Sequence, residues 1–168
     1  MTDFSVIERS IDIEASVADL LALVDDFHAW QQWSPWEGLD PDLHRTYSGP
    51  TSGVGATYEW SGNRKAGAGQ MRIVRVDDAN VDIDLQFRKP FKSSSTSHFA
   101  FADATAGPAG AAGAAGAAGA TTVTWTLRSP KTFGMKVAGL FMNFERAIGG
   151  DLEKGLAQLK TVAESASA

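Results

Sequence analysis

Residues 141–163, FMNFERAIGGDLEKGLAQLKTVA, form the stretch that decides the fold. Apolar residues recur there at steps of three or four, the spacing of one face of an α-helix. They are Phe141, Phe144, Ile148, Leu152, Leu156, Leu159 and Val162. The opposite face carries charged residues, namely Glu145, Arg146, Asp151, Glu153, Lys154 and Lys160. We therefore predict a half-buried helix about 33 Å long, and the preceding chain must supply the apolar surface on which it packs.

Alternation of apolar and polar residues predicts seven strands before this helix. The clearest alternation runs through VDIDLQFR, residues 81–88. The predicted strands are Phe4–Ile13, Leu43–Ser48, Ala56–Ser61, Gln70–Val76, Val81–Arg88, Ser93–Phe101 and Thr121–Arg128. Turn residues separate most of them by short connections, and consecutive strands with such short connections should be antiparallel neighbours.

Two short helices are expected after the first strand. The first is capped by Ser16 and ends near Val24. The second runs from Phe27 to Trp33 and stops before Pro35, which cannot continue a helix.

From Ala104 to Ala120 the chain is almost entirely glycine and alanine. The tract is too short and too poor in proline for a collagen triple helix. It has little to bury and much conformational entropy to lose on ordering. We therefore expect a mobile hairpin loop at about 104–120, within a single domain that spans residues 1–168.

The composition narrows the classes of function. The 168 residues are 43% hydrophobic and 21% charged, which is typical of one globular domain with a sizeable core. A net charge of −5 offers no basic surface for nucleic acid. No apolar run reaches the roughly 18 residues of a membrane span, and no signal segment follows Met1, so a cytoplasmic location is expected. The absence of cysteine excludes disulfides and thiolate chemistry.

The order of the elements and several short motifs together resemble a known family. The motifs are Trp33-Ser-Pro-Trp-Glu37, Asp40-Pro41, Gly49-Pro50, Gly53-Val-Gly-Ala-Thr-Tyr-Glu-Trp60 with Gly62-Asn63, Gly67 with Gly69, and Ile148-Gly-Gly-Asp-Leu-Glu-Lys-Gly-Leu156. They are similar to those of the START/Bet v1-like (SRPBCC) superfamily, in particular its bacterial polyketide cyclase/dehydrase-type members. The resemblance covers nearly the whole chain except the Gly/Ala tract.

This resemblance implies an α+β helix-grip fold. In that fold a seven-stranded curved antiparallel sheet wraps around a long C-terminal helix, and two short helices close an apolar cavity between them. The expected partner is a small hydrophobic molecule bound in the cavity, with no nucleic acid and no cofactor. Both a monomer and a homodimer fit the sequence.

Aromatic and apolar residues expected to face the cavity are the candidate ligand-binding residues. Three indole rings concentrate in the second short helix and the loop after it, although the same rings also suit plain core packing. The full candidate set is Trp30, Trp33, Trp36, Tyr58, Trp60, Met71, Phe99, Trp125, Phe141 and Phe144.

Motifs for catalysis or metal binding are sparse. The histidines at 28, 44 and 98 lack the spacing of metal ligands, so no metal site is expected. The polar residues best able to reach the rim of the cavity are Glu37, Glu59, Arg72 and Arg88, although the alternation around Arg88 favours solvent. Among them Glu59 and Arg72 are the candidate catalytic residues.

Three classes of function remain open on the sequence. The first is binding of an aromatic, polyketide-like or lipid-like ligand. The second, suggested by the resemblance, is a cyclase or dehydratase that moves protons in the same cavity. The third is a chaperone-regulator-like protein-interaction module. A buried titratable pair would favour the enzyme, a purely apolar cavity the carrier, and a filled cavity with an exposed apolar patch the interaction module.

Overall fold

The computed structural model describes residues 4–89, 92–104, 119–130 and 141–166, and within 141–145 only the backbone. The strands are β1 (Phe4–Ile13), β2 (His44–Ser48), β3 (Thr57–Ser61), β4 (Ala68–Val76), β5 (Asn80–Lys89), β6 (Ser93–Asp103) and β7 (Thr121–Pro130). The helices are α1 (Val17–Val24), a 3-10 helix (Ala29–Gln32) and α2 (Phe141–Ala166). The strands and the long helix agree with the sequence prediction.

The second short helix is shorter than predicted. The Asp26 side chain accepts the His28 backbone N–H at 2.9 Å and forms a turn before the helix begins. At the other end Trp33 leaves the helical conformation, with φ −138° and ψ −15°. Only one 3-10 turn fits between the Asp26 turn and Pro35.

The seven strands form one antiparallel sheet in the order β1-β7-β6-β5-β4-β3-β2. β1 pairs along its whole length with β7, from Phe4 opposite Pro130 to Ile13 opposite Thr121. The register of β4 on β5 shifts between Ala68 and Gly69 and again after Ile73. Such irregularities bend a sheet, which accounts for the curvature that the helix-grip fold requires.

The long helix α2 packs its apolar stripe against the sheet. Leu152, Leu156 and Leu159 are fully buried. Two polar contacts hold α2 along the edge strand β1: Arg9 Nε lies 2.9 Å from Glu153 Oε1, and Lys160 Nζ donates to the Asp12 carbonyl oxygen at 3.0 Å. The prediction of a half-buried C-terminal helix is confirmed, and no helix in the described ranges is long and apolar enough to cross a membrane.

Most of the predicted Gly/Ala loop, residues 105–118, lies outside the described residues. At its base the Ala104 backbone N–H donates to the Ala120 carbonyl oxygen at 3.0 Å, which continues the pairing of β6 with β7. The mobility of the loop and the single-domain organisation stay predictions.

Candidate functional site

A partly open cavity of about 240 Å³ lies between the sheet, α2 and the loop after the 3-10 helix. Its wall is mostly apolar. The larger apolar side chains on it are Phe27, Trp30, Trp36, Trp60, Met71 and Phe87. Strands β3 to β5 form one side, and Ile148 of α2 forms part of the other. The cavity therefore has the position that the helix-grip fold predicts.

Two indole rings are held by the end of α1. Trp30 Nε1 donates to the Val24 carbonyl oxygen at 2.8 Å, and Trp33 Nε1 donates to the Leu23 carbonyl oxygen at 2.9 Å. The last carbonyls of a helix have no partner within the helix, so the indole N–H groups satisfy them. Both rings are thereby fixed in orientation, and Trp30 lies on the cavity wall.

Trp60 of β3 packs over a glycine of the neighbouring strand β4. Its register partner on β4 is Gly69, and a Cβ atom at that position would lie 2.6 Å from Trp60 Cη2 and 2.5 Å from the Gln86 carbonyl oxygen. Only glycine leaves room for the ring there. Trp60 Nε1 also donates to the Ala66 carbonyl oxygen at 3.0 Å, so the wall at this point is rigid.

Five of the ten candidate ligand-binding residues lie together on the cavity wall: Trp30, Trp36, Tyr58, Trp60 and Met71. The structure places three others, Trp33, Phe99 and Trp125, in the packed core, where each is at most 1% exposed. These three rings lie behind the wall because they pack on one another, with Phe99 stacked on Trp125 at 4.7 Å between ring centres. The side chains of Phe141 and Phe144 lie outside the described part of the chain.

The two candidate catalytic residues lie on the outer face of the sheet. Glu59 alternates with the inward-facing Tyr58 and Trp60, and its carboxylate is 3.3 Å from Arg88 on the exposed face. Arg72 is exposed between the buried Met71 and Ile73. Because successive side chains of a strand point to opposite faces, neither residue reaches the cavity, and the expectation that they reach its rim is corrected.

A polar cluster, formed by Glu37, Arg45 and Tyr58, occupies one side of the cavity instead. Glu37 and Tyr58 line the cavity. Arg45 Nη2 donates to Glu37 Oε2, and the Arg45 guanidinium lies close enough to Tyr58 to oppose the rise in the pKa of its hydroxyl. Arg45 Nε is buried and has no hydrogen-bond partner among the described residues. The cluster is thus a carboxylate paired with a guanidinium, with a tyrosine on the same side of the cavity.

Strand pairing explains how the cluster forms. In the β2–β3 pair, Arg45 lies opposite Trp60 and Tyr47 lies opposite Tyr58. Arg45 is therefore on the same face as Tyr58 and diagonal to it, within reach of a long side chain. Sequence reasoning named Glu37 as a rim residue but missed Arg45, although the alternation of β2 could have placed it inward.

Burial sets the protonation state of Tyr58. The pKa of the Tyr58 hydroxyl is raised from 10.0 to about 12, chiefly by burial and also by the nearby Glu37 carboxylate, while Arg45 opposes the change. A hydroxyl with this pKa is protonated at neutral pH. Tyr58 therefore offers the cavity an O–H donor.

Nothing in the described part of the chain points to a metal centre. No group of three or more His, Asp or Glu side chains is placed there to hold a metal ion. His98 lies on the outer face, where its Nδ1 contacts Asp82 Oδ1.

Comparisons with known proteins agree with this architecture. The polyketide cyclase / dehydrase and lipid transport family matches residues 6–164. A comparison with curated proteins finds no significant match in sequence.

Three solved structures illustrate the structural likeness. The di-domain ARO/CYC StfQ from the steffimycin biosynthetic pathway has a TM-score of 0.66 at 10% identity, covering 98% of this chain and 52% of that one. Norcoclaurine synthase from Thalictrum flavum, solved in complex with dopamine and hydroxybenzaldehyde, has a TM-score of 0.64 at 10% identity, covering 98% and 88%. Ara h 8.0201 has a TM-score of 0.62 at 10% identity, covering 97% and 99%. At these identities the likeness shows the fold alone.

The sequence match and the observed fold lead to one assignment. The match spans nearly the whole chain, and the helix-grip architecture is that of the START/Bet v1-like (SRPBCC) superfamily. This protein therefore belongs to the polyketide cyclase / dehydrase and lipid transport family.

Proposed function

We propose that this protein binds a small hydrophobic molecule with a ring system in the cavity between the sheet and α2. The observation that carries the proposal is the partly open cavity of about 240 Å³ with aromatic walls. An apolar cavity of about 150 Å³ accommodates benzene, so the space suits a compound of about two rings. The family's association with polyketides and lipids and the aromatic molecules in the norcoclaurine synthase complex support this ligand class.

The side chains of the cavity wall are held in place without a ligand. Trp36 Nε1 donates to Asp151 Oδ2 on α2 at 3.1 Å, and Trp60 is held by the Ala66 carbonyl oxygen. Side chains already fixed in this way lose little further entropy when a ligand binds. Trp36 and Trp60 are only partly buried, so a ligand that covers them removes apolar surface from water and gains free energy.

Naphthalene, a two-ring hydrocarbon, is a suitable first probe. The indole N–H signals in a ¹⁵N-correlated NMR spectrum report separately on the five tryptophans of the chain. We expect naphthalene to shift the signals of Trp36 and Trp60, which lie on the wall, more than those of Trp33 and Trp125, which lie in the core. Native mass spectrometry of freshly purified protein would show whether a ligand is retained.

A substitution separates binding from folding. Trp60→Ala should weaken naphthalene binding by about tenfold, because the ligand loses an aromatic contact. Glu59→Gln is the matched control, since it changes the neighbouring residue on the outer face and should leave the affinity unchanged. Equal shifts at all five indole groups, or no binding of naphthalene or a mid-length fatty acid, would contradict the proposal.

The polar cluster favours a second candidate function, an enzyme of the cyclase or dehydratase class. Such reactions begin when a base removes a proton from the carbon next to a carbonyl group. The Glu37 carboxylate would take that proton, and the Tyr58 hydroxyl, supported by Arg45, would donate a hydrogen bond to the enolate oxygen that forms. Both groups line the same cavity.

Proton exchange tests this second candidate without the natural substrate. 2-Tetralone is a two-ring ketone whose α-protons exchange with D₂O, and NMR measures the rate. An enzyme should accelerate the exchange, and Glu37→Gln should reduce the acceleration by about 10² while naphthalene still binds. If wild-type protein binds 2-tetralone without accelerating exchange, the enzyme candidate is wrong and the binding function stands.

A further inference from the structure

We infer that the ligand carries a hydroxyl group on its ring system, and that Glu37 and Tyr58 bind this hydroxyl through one hydrogen bond each. The inference rests on the proposed binding function and names the ligand class more closely. The apolar wall would hold the rings, and the polar cluster would hold the oxygen.

Glu37 supplies the acceptor. An ionised carboxylate accepts hydrogen bonds at both oxygens and donates none. Arg45 donates to Oε2, and within the described ranges no residue donates to Oε1. The side chain is 25% exposed and lines the cavity, so its second oxygen is open to a ligand.

Tyr58 supplies the donor. A tyrosine hydroxyl carries one O–H donor, and Tyr58 lies on the cavity wall. No residue in the described part of the chain accepts the Tyr58 O–H proton, so this donor is left for another partner. Tyr58 is only 9% exposed, which leaves the cavity as the place where this proton can find an acceptor.

The acceptor and the donor lie side by side. Both line the cavity, and the Glu37 carboxylate, which is paired with Arg45, is close enough to Tyr58 to raise the pKa of its hydroxyl. Arg45 Nε remains buried without a partner among the described residues, so the cluster has more hydrogen-bonding capacity than the folded chain uses. Buried polar groups left unpaired cost free energy.

A hydroxyl matches this pair better than a carbonyl, an ether or a carboxylate. It donates to the carboxylate and accepts from the tyrosine at the same time. A carbonyl or an ether can only accept and leaves Glu37 unpaired, whereas a ligand carboxylate would be repelled by Glu37. A site built to hydrogen-bond a hydroxyl discriminates against the analogue that lacks it, because its own polar groups then stay unpaired.

Three probes of one shape test the inference: 2-naphthol, which donates and accepts, 2-methoxynaphthalene, which only accepts, and naphthalene, which does neither. Calorimetry or NMR titration gives each dissociation constant. We expect wild-type protein to bind 2-naphthol about tenfold more tightly than naphthalene. The methoxy compound should bind no more tightly than naphthalene.

Variants assign the preference to the cluster. Tyr58→Phe and Glu37→Gln should each reduce the preference for 2-naphthol to less than about threefold, with the naphthalene affinity little changed. Tyr47→Phe is the matched control. The Tyr47 hydroxyl accepts from Gln31 Nε2 at 2.7 Å and is not on the cavity wall, so this variant should keep the full preference.

The outcomes separate the inference from the proposed function. If naphthalene binds as tightly as 2-naphthol, or if the preference survives in both cluster variants, the inference is overturned and the hydrophobic binding function stands. If no probe binds, the proposed function fails and the inference fails with it. Should Tyr58→Phe not fold, Glu37→Gln and the wild-type comparison with 2-methoxynaphthalene still decide the question.

Discussion

Two glycines of α2 allow the packing of the helix on the core to be tested with a single kind of substitution. A Cβ atom at Gly155 would lie 2.8 Å from Trp125 Cζ3 and 2.9 Å from Pro35 Cδ. A Cβ atom at Gly150 would meet nothing within 4 Å. Gly155→Ala therefore fills an occupied space, and Gly150→Ala extends into solvent.

The magnitudes follow from two opposing effects. Replacing glycine by alanine inside a helix stabilises the fold by about 0.5 to 1 kcal/mol, because less backbone entropy is lost on folding. This gain is common to both positions and cancels in the comparison. Overpacking a filled core costs about 1 to 3 kcal/mol, and Trp125 and Pro35 cannot move away without disturbing the rings around them. Gly155→Ala should therefore be less stable than Gly150→Ala by about 1 to 3 kcal/mol.

Urea titration followed by circular dichroism measures this difference. With a slope of about 2 kcal/mol per molar urea, the two midpoints should differ by about 0.5 to 1.5 M. Gly150→Ala should unfold at a higher urea concentration than wild type. If both substitutions stabilise the protein equally, α2 does not lie against Trp125 and Pro35, and the described packing of α2 on the core is wrong.

Two further predictions concern the core and the polar cluster. Leu156→Ala should lower the free energy of unfolding by about 2 to 5 kcal/mol, because it leaves a cavity at a fully buried position of α2. Lys154→Ala, on the exposed face, should change the free energy of unfolding by less than about 0.5 kcal/mol. Equal losses for the two variants in a denaturant titration would contradict the half-buried helix. The pKa of Tyr58 is raised in the fold from 10.0 to about 12, so the stability that depends on its protonated hydroxyl is complete below about pH 10 and is lost as the pH rises towards about pH 12. Tyr58→Phe should therefore lose less stability than wild type across that interval in alkaline unfolding experiments, and parallel pH profiles would show that Tyr58 is not buried beside Glu37.

The candidate site could be predicted only in part from the sequence. Strand alternation placed Tyr58, Trp60 and Met71 on the inner face of the sheet, and all three line the cavity in the structure. Alternation also placed Phe99 and Trp125 on the inner face, but it does not distinguish a ring on the cavity wall from a ring buried in the core. Glu59 was chosen for its charge, although alternation already placed it outside.

The sequence by itself determined the elements and the faces that they bury. The seven alternating segments and the apolar stripe at helical spacing are local patterns, and the structure contains each predicted strand and the predicted helix. These patterns are informative because the repeat of a strand or a helix determines which side chains share the face that is buried. The motifs added the resemblance to the family and hence the expectation of a curved sheet wrapped around the long helix.

Only the tertiary structure decided where the cavity stops and which polar groups enter it. Glu37 comes from a loop with no period, Arg45 from β2 and Tyr58 from β3, and their meeting depends on the register of two strands and on how the loop folds over them. No sequence pattern predicts how close these three side chains lie to one another. The cluster exists because strand pairing and the fold of the loop bring separate segments to one side of the same cavity.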